Sequence, residues 1–136
     1  MDVSHVNPDT VAPSVGYSHA VVVPLGEAAM VFVAGQVALD RDGALVGPGD
    51  MRAQADQAMR NVEAVLAAAG AGWGDVTHLR TFVTDVGRLA EVREVRARYI
   101  TGPPPASTLV EVSGLVRDEF LIEVEAIAVT SSPPRR

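Results

Sequence analysis

Two glutamates near the C-terminal end, Glu123 and Glu125, come closest in type and spacing to a reacting pair. Residues two apart on a strand project from one face, roughly 7 Å from each other. Between Leu121 and Ile127, loss of water would lift a carboxyl pKa toward the range of a general acid or base. The ordinary alternative is an edge-facing or salt-bridged pair, with arginines supplied by a neighbour. A second candidate is Ala34-Gly35-Gln36, whose glycine would let a ligand approach closely or would mark a bulge. A third is Gly16-Tyr17-Ser18-His19, where Tyr17 would either donate a hydrogen bond from a cleft wall or simply pack. His5, His19 and His78 are too dispersed to suggest a metal site, and His19 and His78 read better as structural residues. Without cysteine there is no disulfide framework, thiolate zinc site or cysteine nucleophile. No Walker loop, nucleophile elbow, dinucleotide fingerprint or HExxH helix occurs.

The elements that must position these residues follow from periodicity. Val21–Pro24 and Met30–Gln36 read as strands joined by a hairpin loop, Leu25–Ala29, and a turn-rich stretch follows from Asp40 to Gly49. From Asp50 to Ala69 the apolar positions Met51, Ala55, Ala58, Val62, Val65, Leu66 and Ala69 line one helix face. Asp50 is placed to cap that helix and Gly70 to stop it. Val76–Thr84 reads as a strand. Arg88–Ile100 reads as a second helix with Leu89, Val92, Val95 and Tyr99 inward and Glu94 to Arg98 as a favourable pair, and the prolines at 103–105 end it. Ser107–Val112 and Phe120–Val129 complete the order ββαβαββ. Strand–helix–strand successions imply right-handed parallel crossovers, with both helices on one face of a mixed sheet. The other face, carrying Leu121, Ile127, Val129 and both glutamates, is then left bare. Self-association into a ring or barrel is the natural way to cover it.

The chain has 136 residues, 48% hydrophobic and 21% charged, which is ordinary globular usage for one domain over 1–136, with 131–136 as a frayed tail. The formal charge is −6; lysine is absent and the arginines are scattered, so nucleic acid is a poor partner. No window is apolar enough to span a membrane, and the first ten residues lack the features of a signal peptide, so a cytoplasmic location is expected.

Several pieces in order carry a resemblance: Tyr17-Ser18-His19-Ala20, Val33-Ala34-Gly35-Gln36-Val37, Gln57–Val62 running to Ala68-Ala69-Gly70, Val76–Val83, Pro105-Ala106, and Ile122–Ala128. Through them the chain, from about Tyr17 to Val129, resembles the RidA/YjgF family, also labelled L-PSP endoribonuclease. The resemblance implies an α+β, chorismate-mutase-like fold and a homotrimer whose bare sheet faces form a central β-barrel. It also implies clefts between subunits that bind small carboxylates. RidA proper hydrolyses reactive enamines and imines to 2-keto acids and ammonia without metal or cofactor. There an arginine after a Pro-Ala pair clamps the substrate carboxylate, and a glutamate of the last strand helps to position water.

This sequence departs from that pattern. Ser107 stands where the arginine is expected, Leu109 where cysteine is usual, Arg93 at an asparagine of the second helix, and Gly16 in place of proline. Tyr17, Gly35 and Glu123 match. The expectation is a homotrimer with intersubunit clefts for a small organic ligand. Glu123 is its catalytic candidate, and Tyr17, Gly35, Arg93 and Ser107 are its binding candidates. The reaction would be hydrolytic deamination of an imine or enamine. The alternative is a non-catalytic trimer that binds a small molecule or partner in the same cleft. Ribonuclease activity, the family's older label, is disfavoured by the acidic charge.

Overall fold

The computed structural model describes residues 2–131. Met1 and residues 132–136 lie outside the described residues, so of the tail expected to fray only Ser131 is described. Strands β1 (Ser4–Val6), β2 (Ala20–Leu25), β3 (Ala28–Gln36), β4 (Val76–Val83), β5 (Ala106–Glu111) and β6 (Ile122–Thr130) form one sheet in the order β1-β2-β3-β6-β4-β5. Two helices, α1 (Met51–Ala68) and α2 (Leu89–Tyr99), cover one face of it.

Helix α1 starts where the sequence places it: the Asp50 carboxylate accepts from the Ala53 amide at 3.0 Å. It stops at Gly70, whose φ of +78° is left-handed, while the Ala71 amide reaches back to the Leu66 carbonyl. All seven apolar positions of its predicted face are buried. In α2, Val92 and Val95 are buried and Leu89 and Tyr99 half-buried. The α-helix begins at Leu89, after a 3-10 turn over Val86–Arg88. Glu94 leans toward Arg52 of α1, at 2.7 Å, and holds Arg98 only at 3.8 Å.

Two features of the sheet differ from expectation. A short strand, β1, pairs with β2 ahead of the predicted first strand. More consequentially, although β3 and β4, and β4 and β5, run parallel as the crossovers require, β6 inserts antiparallel between β3 and β4, so that only β4 and β5 pair directly in parallel. Phe120 is buried but precedes β6 rather than opening it. Along β6, Ile122, Val124, Ala126 and Ala128 are buried toward the helices. Glu123, Glu125, Ile127 and Val129 alternate to the uncovered face, where Val21, Val23, Met30, Phe32, His78, Arg80 and Phe82 join them.

Candidate functional site

Glu123 lies beside Phe82 on β4, and Glu125 lies beside Arg80. The two carboxylates differ in their surroundings. Glu125 is ion-paired to Arg80 at 2.9 Å, whereas Glu123 has no hydrogen-bond or ion-pair partner among the described residues. Burial, and then the negative charge of Glu125, push the Glu123 carboxyl above the usual carboxylate range.

Gly35 explains where that carboxylate goes. The β3–β6 register shifts between Val33 and Gln36, a bulge that brings the backbone at Gly35 against Glu123. A Cβ built on Gly35 would stand 2.5 Å from Glu123 Oε2 and 2.7 Å from its Cδ. The glycine is therefore the seat of the carboxylate: it marks a bulge, and what approaches it is the Glu123 side chain.

Beyond the bulge, Gln36 is buried, and its amide donates to the Ala34 carbonyl and to His19 Nδ1 at 3.1 Å. His19 Nε2 then donates to the Ala12 carbonyl at 2.7 Å. Both ring nitrogens are engaged within the fold, as for a structural histidine. Tyr17 stacks edge-on against this ring at 5.4 Å and is 53% exposed at the same corner.

Arg93 and Ser107 form a second group. They lie on the helix side of the sheet, in a groove of about 230 Å³ between α2 and β5, with Leu79, Ile100, Pro104 and Pro105 as its apolar lining. An adjoining hollow lined by Val86, Leu89 and Leu109 shares the same Arg93, Arg96 and Ser107. Arg96 escaped the sequence reading; its Nη1 reaches the Ser107 hydroxyl at 3.4 Å. Ser107 is opposite Leu79, which is buried toward the helices, whereas Glu123 points to the bare face. Within one chain the candidate residues thus fall into two groups on opposite faces: Glu123 with Gly35, and Arg93 with Ser107.

The family-matching residues of α1 also have a place. Asn61 donates to the carbonyls of Val37 and Leu39, and Gln57 donates to the Asn61 side chain at 2.9 Å. They pin the loop leaving β3, just beyond Gly35.

Residues 8–130 match the family model described as endoribonuclease L-PSP. Protein DfrA of Myxococcus xanthus is 42% identical over 126 residues, covering 92% of this chain and 94% of its own. Among solved structures, RidA from an Antarctic Psychrobacter is 30% identical, with a TM-score of 0.82 over 92% of this chain and 98% of its own. Escherichia coli TdcF with bound serine is 29% identical, with a TM-score of 0.82 over 93% and 98%.

Proposed function

Because the chain belongs to the endoribonuclease L-PSP family, which includes RidA and YjgF, we propose that it hydrolyses small imines or enamines derived from amino acids. The observation that carries this reading is Glu123: a half-buried carboxyl with raised pKa, without an ion-pair partner among the described residues, and seated against a glycine whose missing side chain gives it room. A 2-imino acid is already electrophilic, so the protein needs to orient it and bring water to its carbon. Glu123 takes a proton as water adds to the C=N carbon. It passes that proton to nitrogen to give a carbinolamine, then takes the hydroxyl proton and delivers it to nitrogen as the C–N bond breaks, so that ammonia leaves and the 2-keto acid remains. No cofactor is needed for this balance. A relative solved with serine, TdcF, is consistent with a ligand of amino-acid size.

In this reading the two groups of residues meet across a boundary between copies of the chain. The bare face, with Phe32 and Val129 each about two-fifths exposed, supports a closed trimer that buries it. One copy would present Glu123 and Gly35, and its neighbour the groove of Arg93 and Ser107, with Tyr17 at the rim.

The test follows loss of 2-iminopropionate, generated in solution, against formation of pyruvate. The native protein is expected to accelerate hydrolysis, and Glu123→Gln to lower that acceleration by about 100-fold or more. A Glu123→Gln variant as active as the native chain would overturn the assignment. Ser107 favours a second reading, since an uncharged side chain there removes a guanidinium from the strand. The protein would then bind a small molecule or partner without chemistry, and imine hydrolysis would be absent from the native chain and emerge only in Ser107→Arg.

A further inference from the structure

Six arginines among the described residues, Arg52, Arg60, Arg80, Arg88, Arg98 and Arg117, pair with carboxylates; Arg41, Arg93 and Arg96 do not. In an acidic chain such cations are not short of glutamates. Two of the three, Arg93 and Arg96, line one groove. They sit three residues apart on α2, so both project to the same helix face. Arg96 is half-buried, and its one side-chain polar partner among the described residues is the Ser107 hydroxyl at 3.4 Å, a distance at which little is lost if an anion takes that place. The rest of the groove is apolar: Leu79, Ile100, Pro104 and Pro105.

Resting on the proposed reading and narrowing it, we infer that this groove receives a monocarboxylic acid with an apolar chain. Its carboxylate lies on Arg96, between Arg93 and Ser107, and its chain lies along Leu79, Ile100 and the prolines. The cation comes from the helix because Ser107 leaves the strand side uncharged. Arg96 is the anchor, since it is half-buried beside Ser107, while Arg93 is exposed and adds field at the rim. Apolar lining beside a paired cation site is what separates this ligand from a dianion, which would need polar groups at both ends. A side chain such as that of leucine or valine suits the groove better than that of serine.

Saturated acids test this without any chemistry. Titration calorimetry on the native protein would compare acetate, butanoate, 4-methylpentanoate and succinate. Affinity is expected to rise roughly twofold to fourfold per added methylene, with succinate weaker than 4-methylpentanoate. Arg96→Gln should weaken 4-methylpentanoate about tenfold or more, and Arg93→Gln less. Neither arginine holds an ion pair among the described residues, so both variants are expected to keep the fold, which circular dichroism checks. Equal affinity along the series, preference for succinate, unchanged affinity in Arg96→Gln, or no binding of any acid would each overturn the inference. Failure of imine hydrolysis alone, with the chain-length series and its Arg96 dependence intact, would overturn the catalytic reading and leave this one standing.

Discussion

Glu123 and Glu125 stand two residues apart on one strand face, yet among the described residues only Glu125 has a counter-ion. That asymmetry separates their chemistry, because the unpaired member is the one whose charged form loses water without gaining a cation. The sign for stability follows. A carboxyl with its folded pKa raised costs nothing below the ordinary glutamate range, where it is protonated in both folded and unfolded chains. The cost appears as pH rises from there through the raised value, and remains above it. Glu123→Gln is thus expected to melt at a higher temperature than the native chain at pH 7, with the difference vanishing below about pH 4. Thermal denaturation across that range checks it; a glutamine variant less stable at neutral pH would show that the carboxylate is held by a favourable contact.

The elements that set the height of Glu123 are tied together by one buried side chain. Gln54, on the first turn of α1, donates to the carbonyls of Gly47 and Glu119 and accepts from the Leu121 amide at 2.9 Å. It links the loop entering α1 to the loop entering β6. Gln54→Ala would leave three backbone groups without partners and is expected to cost roughly 2–4 kcal/mol, measured by urea denaturation. Nothing in the sequence marks Gln54, since a glutamine on a helix usually faces water. Both helices, the cap at Asp50, the stop at Gly70 and the alternation along β6 were legible because they depend on residues close in the chain. The insertion of β6 between β3 and β4 was not, because a strand's alternation names its buried face and not its partners. β1, three residues with an exposed histidine, is too short to have a period. At the site, Glu123 and Gly35 were legible separately, but their contact arises from a long-range register shift. Arg96, in the run Glu94-Val95-Arg96-Ala97-Arg98, looks like any charge on a solvated helix face until β5 is laid beside it.

For the whole molecule, the decisive feature is a sheet with helices on one side only. Phe32, Val129, Met30, Val21 and Val23 form an apolar field on the other side, interrupted by the Arg80–Glu125 pair. If copies of the chain close over this field, Phe32→Asp, at its centre on β3, is expected to give monomers by light scattering. Imine hydrolysis should fall with it, since Glu123 and the α2–β5 groove would no longer meet. A fully assembled Phe32→Asp variant would place the interface elsewhere. The sheet order carries one more consequence, for the chain as it is made. The strand that joins its two halves, β6, is the last of the six to leave the ribosome. Until it emerges, the β2–β3 hairpin and the β4–β5 pair each present a free edge, and their closure waits on contacts between segments far apart in the chain. The time of greatest risk from aggregation thus falls during synthesis, before the central strand has arrived to occupy both edges.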